Sequence, residues 1–367
     1  MLDTMGVILA CNNEADLGEL TRVRAVSALP FAGRYRLIDF VLSGMVNSGM
    51  NTVGIATGPV YQSLLNHVGS GKPWDLARKR EGLFVLPPAP DAEFSGDSRI
   101  AALTGVLRFL ERSKERYVVV ADGNNVCNVR FDKIVEMHKF NNADITVVYQ
   151  KVKSKTDGET YVETDENGAV RDVVYAMDRK KCLNRLTGYY VFTKDLLINL
   201  LENCMLHGKK RFVKDIIEKN VGKLNIYGYC FEGFLRTIKD VDSYYSVSME
   251  LFEFDKRKDI FIPQDKIYTK SKDRVPTRYL SDAVVRSSII ADGCVINGTV
   301  ENSIIFRGVR VNKGAVVKNC IVMQDGIISA DATLGCCILD KNCVIREGKT
   351  LIGQPDFPLV VGKHRTI

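Results

Sequence analysis

The chain runs to 367 residues, 46% hydrophobic and 26% charged, a length beyond one ordinary core that points to two domains of a globular protein. No apolar run nears the ~18 residues of a membrane span, and the opening MLDTMGVILACNN lacks the basic and apolar stretches of a secretion signal, so a cytoplasmic protein is expected. The net charge of +7 is dispersed, densest at Arg78, Lys79 and Arg80 and at Lys209, Lys210 and Arg211, with no basic stripe studded by aromatics as in a nucleic-acid binder; solvated surface or a small anionic ligand accounts for it.

Apolar, β-branched runs at 7–10, 53–56, 117–121 and 145–149 have the length of strands. Helical patterns at 37–47, 60–67, 100–113 and 131–140 alternate with them, which predicts a mostly parallel sheet covered on both faces. Directly after the first strand comes ACNNEADLGEL, where a phosphate-binding domain would place glycines. None falls between Ala10 and Leu17, and Glu14 and Asp16 are acids. Further strands are predicted at 161–163 and 170–174, joined by a turn around Asn167-Gly168, and at 189–192 and 226–231. A helix over 241–254 closes the domain, and the charged run DKRKD (255–259) begins a linker.

From Ile290 the pattern changes. Aliphatic residues recur at 290 and 296, at 305, 311 and 317, at 322, 328 and 334, and at 339, 345 and 351. Between them lie the turn formers Asp292-Gly293, Lys313-Gly314, Asp325-Gly326 and Glu347-Gly348. Such a hexapeptide repeat is the pattern of a parallel β-helix, each aliphatic side chain pointing inward. A β-helix that serves as an acyltransferase platform needs a histidine at a coil interface. None lies between His207 and His364, so a scaffold or assembly surface is expected. The adjacent Cys336 and Cys337 should place one thiol inside and one outside. The cysteines as a set (11, 127, 182, 204, 230, 294, 320, 336, 337 and 343) contain no C-x-x-C pair, so reduced thiols and no metal site are expected.

The stretches LTRVRAVSALPFAGRYRLIDFVLSGMVNSGM (20–50), HVGSGKPWDL (67–76) and FEGFLRTIKDVDSYYSVSMEL (231–251) closely resemble ADP-glucose pyrophosphorylase, also called glucose-1-phosphate adenylyltransferase. The repeat segment NSIIFRGVRVNKGAVVKNCIVM…CCILDKNCVIREGKTLIG resembles that family's C-terminal domain. The resemblance implies a Rossmann-like, GT-A-like α/β nucleotidyltransferase domain over 1–254, a linker over 255–283 and a left-handed parallel β-helix over 284–367. That family joins ATP to glucose 1-phosphate, releasing pyrophosphate. Glycine amides and cations hold the triphosphate, two aspartates hold Mg²⁺, and a lysine anchors the sugar phosphate.

This sequence departs from the family at each of those places. The loop G-G-x-G-[ST]-R-L reads Cys11, Asn12, Asn13, Glu14, Ala15, Asp16 and Leu17, so all three glycines are gone and Asp16 stands where an arginine meets the phosphates. Like charges ~4 Å apart cost on the order of 1 kcal/mol when exposed and severalfold more in a cleft. In the next motif the phosphate-contacting lysine is Val26, while the packing residues around it remain. The first metal aspartate aligns with Asn124 and the second with Thr237; an amide and a hydroxyl bring no negative charge to a hard cation. Asp122, two residues before Asn124 on the same strand face, is an alternative ligand ~6–7 Å away. The sugar-phosphate lysine is Ala176, and the D-F-G-K-D loop reads Arg211, Phe212, Val213, Lys214 and Asp215. The G-T-A-D-A segment corresponds to Ser98, Arg99, Ile100, Ala101 and Ala102.

Five losses at chemically required positions match the non-catalytic subunit type of that family, with a degenerate active site and no catalytic residues of its own. The resemblance then implies a regulatory role in bacterial glycogen synthesis, in a hetero-oligomer, a heterotetramer, with a catalytic ADP-glucose pyrophosphorylase subunit. No cofactor is expected in this chain, Mg²⁺ belonging to the partner, and neither nucleic acid nor membrane is an expected partner. A working nucleotidyltransferase with rearranged ligands and a standalone sugar-phosphate or nucleotide sensor are the alternatives. Arg22, Arg24, Arg34 and Arg36 crowd a segment that lies near the activator site in the family, and are candidates to bind an anionic effector such as a sugar phosphate. The family's activator-binding lysine aligns with Val23, and salt bridges or subunit contacts are the competing account of the cluster.

Overall fold

The computed structural model describes residues 3–11, 16–88, 97–178 and 182–367. The chain forms two compact units, each assembled from separate stretches. The first takes residues 1–14, 40–237 and 262–268, and the second takes 15–39, 238–261 and 269–367.

The first unit is built on a nine-stranded mixed sheet. Its central strand β1 (Thr4–Ala10) is buried at every residue, as a strand covered on both faces must be. β1 runs parallel to β4 (Thr52–Thr57) and to β6 (Tyr117–Asp122), and β4 runs parallel to the edge strand β5 (Gly82–Leu86). β11 (Asn184–Thr193) reverses direction beside β6, and β8 (Ile145–Lys151) and β12 (Ile226–Cys230) continue from it. Outside the main sheet, β7 (Asn125–Cys127) pairs antiparallel with β13 (Leu235–Thr237). The helices α1 (Leu37–Asn47) and α5 (Phe131–Phe140) have the predicted bounds, and α2 (Gln62–Val68) begins two residues later than predicted.

One helix was expected over 100–113, and two form: α3 (Arg99–Thr104) and α4 (Leu107–Arg112). The break falls at Gly105-Val106, a glycine followed by a β-branched residue, both weak helix formers. Ile100, Leu103, Val106 and Leu110 still face the sheet, with Leu197 and Leu201 of α6 (Lys194–Leu206). The Asn167-Gly168 turn joins β9 (Thr160–Thr164) to β10 (Val170–Tyr175) as expected. Asp165 Oδ1 accepts the N–H groups of Asn167 and Ala169, and Gly168 takes φ of +81°.

The second unit contains fifteen short strands in three parallel five-stranded sheets, a left-handed β-helix. The repeat residues stack rung on rung. Val311 pairs with Ile328 and Ile328 with Ile345, Val317 pairs with Leu334, and Val322 pairs with Leu339; all are at most 1% exposed. Ile290 and Leu351, in the end coils, are only half-buried. Cys337 lies in this core. Cys336 follows the corner column of Asn302 and Asn319, shares their left-handed backbone with φ of +49°, and does not belong to the coil core that holds Cys337. It is covered all the same, 8% exposed, with the Tyr245 side chain against it. None of the ten cysteines is in a disulfide.

The run DKRKD, expected to begin the linker, is helical. It forms α8 (Phe254–Ile260) and follows α7 (Val241–Met249), whose N-terminus is closed by a capping box between Asp240 and Ser243. Its charges form a solvated face, Lys256 pairing with Glu250 and Glu253, while Ile260 is buried. α7 and the residue 15–39 segment belong with the β-helix: Tyr244 donates to the Pro30 carbonyl and Tyr245 to that of Asn319. Among the described residues no helix is long and apolar enough to cross a membrane.

Candidate functional site

In the first unit, the strand that should end at a metal ligand is β6. It ends in Asp122 and, after Gly123 and Asn124, passes into β7. The pairing of β7 with β13 sets Thr237 opposite Asn125, so the two positions that carry metal aspartates in the resembling family, 124 and 237, are close neighbours. Their surroundings are bonded neutrally. Thr237 Oγ1 donates to Asn125 Oδ1 at 2.7 Å, and Asn125 Nδ2 donates to the Thr187 carbonyl at 2.7 Å. Asn124 is 5% exposed.

The remaining carboxylate, Asp122, has a cation beside it, with Arg99 Nη1 3.8 Å away. A hard dication needs anionic oxygens free to coordinate it, so the side chains present do not fit Mg²⁺. Among the described residues no group of three or more histidine, cysteine, aspartate or glutamate side chains is placed to hold a metal. Cys11 at the end of β1 is not a poised nucleophile, because burial pushes its thiol up to about 12. Its carbonyl accepts from Ser98 Oγ, and that bond pins the start of α3 to the end of β1.

The other sequence candidates lie elsewhere. Ala176 follows β10 beside a small cluster of Tyr161, Val174 and Cys182. Its neighbour Tyr175 donates to Glu218 Oε2 at 2.6 Å. Asp16 and Val26 belong to the second unit. Asp16 is exposed and accepts the Gly18 N–H, whereas Val26 is buried at the start of a single 3₁₀ turn. Residues 12–15 of the altered loop lie outside the described residues.

The arginine cluster of the second unit divides by environment. Arg22 is exposed next to Glu19. Arg24 is buried in a two-pronged pair with Asp340, Nη1 to Oδ1 at 2.9 Å and Nη2 to Oδ2 at 2.8 Å, so its charge is neutralised inside the unit. Arg34 and Arg36 stand in a wider group of cations that sequence reasoning missed: Lys272, Arg274, Arg307 and Lys341. Burial, then Arg36 and Arg24, depress the Lys341 ammonium to about 7 against the pull of Asp340. Burial lowers Arg36 to about 10 and also lowers Lys272 and Arg307, each acting on its neighbours. These groups come from stretches hundreds of residues apart, and no local pattern marks them.

Comparison with known proteins agrees with both halves. Residues 5–253 match the nucleotidyl transferase family, and residues 275–356 match the GlmU-like C-terminal hexapeptide family. The chain is 35% identical over 360 residues to the glycogen biosynthesis protein GlgD of Bacillus subtilis, covering 98% of this chain and 95% of that one. It is 38% identical over 316 residues to GlgD of Geobacillus stearothermophilus, covering 85% and 82%. It is 32% identical over 380 residues to a glucose-1-phosphate adenylyltransferase of Clostridium perfringens, covering 100% and 96%.

Proposed function

Since the chain belongs to the nucleotidyl transferase family, alongside the GlgD glycogen biosynthesis proteins and the glucose-1-phosphate adenylyltransferases, we propose that it serves glycogen biosynthesis as a non-catalytic subunit that modulates a catalytic adenylyltransferase. The observation that carries this reading is the neutral pair of positions 124 and 237. In this reading they correspond to the two carboxylates that hold the metal in the reaction, and here they are an amide and a hydroxyl at adjacent strands. Val26 and Ala176 support it, apolar where phosphate-binding lysines are needed. The scaffold around them is retained, as a subunit that assembles but does not react would require. The partner chain supplies Mg²⁺ and the attack of glucose 1-phosphate on the α-phosphorus of ATP.

The test is an activity titration. The purified chain alone should release no pyrophosphate from ATP and glucose 1-phosphate. Added to a catalytic subunit it should raise the rate above that of the subunit alone, and native mass measurement should show a mixed oligomer, a heterotetramer in this reading. Equal rates with and without this chain would sink the proposal. Mg²⁺-dependent turnover by the isolated chain would favour the alternative of an active enzyme with rearranged ligands.

Regulation has its own candidate in the second unit. Cations crowded and partly buried lower one another's affinity for protons, and an anion entering among them relieves that repulsion. The sugar-phosphate effector reading therefore rests on Arg34, Arg36, Lys272, Arg307 and Lys341, while Arg24 serves Asp340. A response to sugar phosphate that is unchanged in Arg34→Ala and Arg36→Ala would dispose of it.

A further inference from the structure

At the carboxyl end of β6, one charge cluster is unused by the function proposed above. Asp97, Arg99 and Asp122 are each less than a fifth exposed. Arg99 Nε donates to Asp97 Oδ1 at 2.9 Å, and Arg99 Nη1 lies 3.8 Å from Asp122 Oδ2. The guanidinium carbon also lies 5.7 Å from the centre of the Phe212 ring, and the Phe212 N–H donates to the second oxygen of Asp97 at 2.7 Å. Burial by itself would weaken the guanidinium's hold on its proton. Asp122, Tyr190 and Asp97 outweigh it and hold the group above its ordinary value. The backbone is shaped to this arrangement. Gly188 sits at φ of +79°, where the register of β11 with β8 shifts, and a Cβ there would lie 2.2 Å from Asp122 Oδ2.

We propose that Arg99 is a built-in counter-ion that takes up the charge a divalent cation would otherwise satisfy at the end of β6, closing this end of the sheet without metal. The two carboxylates that flank it are the anionic groups a metal would recruit, and both already face a tethered guanidinium. A dication arriving at Asp122 meets a positive charge within a few ångströms in a sparsely solvated site. Two further chain segments depend on the cluster. Ser98, next to Arg99, fastens α3 to the end of β1, and Asp97 fastens the backbone at Phe212. Arg99 is a positioning residue here, and the inference rests on the first unit alone, independent of any partner subunit.

Mn²⁺ is the probe, followed by water-proton relaxation with the full chain. The wild type should show no saturable site dependent on Asp122. Arg99→Gln should gain one, with affinity at least about tenfold above the wild type, and adding Asp122→Asn should remove it. Arg99→Lys keeps the charge and should behave as the wild type. Wild-type Mn²⁺ binding that Asp122→Asn abolishes would overturn the inference, as would a folded Arg99→Gln with no gain. If Arg99→Gln does not fold, the thermal midpoint decides. Asp122→Asn must lower it in the wild-type background, and an unchanged midpoint overturns the inference. These readouts are of metal and stability, so they fail or succeed separately from the activity titration.

Discussion

Replacing Asp340 by asparagine should destabilise the β-helix unit more than almost any other single change of similar size. The side chains of Arg24 and Asp340 are 2% and 0% exposed, and both guanidinium nitrogens that reach the carboxylate do so at normal hydrogen-bond length. With charge centres ~4 Å apart and an effective dielectric of about 20, the attraction amounts to about 4 kcal/mol. Asparagine keeps the shape but loses the charge and one of the two acceptors, leaving a guanidinium buried without its counter-charge. Breaking one side of such a pair costs about 3–5 kcal/mol. The cations beside it add to the loss, because Asp340 is also what opposes the depression of Lys341. For a unit of this size, 3 kcal/mol corresponds to a fall of roughly 10 °C in the midpoint. The assay is thermal and urea unfolding of the full chain, followed by both far-ultraviolet circular dichroism and tryptophan fluorescence. Trp74 lies in the first unit, so the two signals separate the units. The double variant Arg24→Met with Asp340→Leu removes both charges and should return to within about 2 kcal/mol of the wild type. A shift below about 0.5 kcal/mol for Asp340→Asn would refute the reasoning, since it would mean the pair is solvated despite its burial.

Three further outcomes are expected. His138 is fully buried with Nδ1 2.8 Å from Thr146 Oγ1, and burial pushes its imidazolium down to about 4. The unfolded chain takes up this proton first, near pH 6.5, so stability is full above that pH and falls by about 3 kcal/mol as pH drops to 4. His138→Leu should flatten that part of a urea-midpoint profile, and an unaltered slope would count against it. Cys336 holds a left-handed backbone in a column that carries asparagine at 302 and 319, so Cys336→Asn should raise the stability of the second unit by up to about 1 kcal/mol. A drop in that stability would show that the contact with Tyr245 matters more. Burial and neighbouring arginines depress Lys341 to about 7, so affinity for sulfate, whose charge is constant from pH 6.5 to 8, should weaken across that range in calorimetry, and Lys341→Met should remove that dependence.

What could be read from the sequence was whatever repeats or stays local. The β-helix announces itself because its aliphatic residues recur at fixed steps, and in the middle coils they face inward where the steps place them. α1 and α5 carry long, uninterrupted patterns, and their bounds were legible. DKRKD misled because charge density looks like a linker, when the apolar contacts of a short helix can come from single residues such as Ile260 and its charges can pair within one turn. The single helix over 100–113 failed at Gly105-Val106, where two weak formers in sequence outweigh an otherwise good apolar face. Asn124 and Thr237 were picked out only through the motifs of the resembling family, and the strand Leu235–Thr237 that carries Thr237 was not foreseen. Arg24 and Asp340 were not joined by any local signal, being 316 positions apart.

The charges that replace the family's pattern share a direction. Under the proposed reading, positions 124 and 237 lack the negative charges of the family's metal site, and Arg99 sets a positive one beside the carboxylate of Asp122. A site that had merely ceased to be selected would leave Asp122 facing water or unpaired, an expensive state for a carboxylate so little exposed. Instead a guanidinium is supplied, braced by Asp97 and Phe212, and a glycine opposite gives Asp122 room. In the second unit Asp340 holds Arg24 by two hydrogen bonds, and Arg274 and Arg307 have Asp325 and Asp292 beside them. Each unit balances at least one buried charge within itself, as a subunit that relies on a partner's chemistry would need. Lys341, whose ammonium burial and the nearby Arg36 and Arg24 depress to about 7, is where an added anion would most change the energy of the second unit.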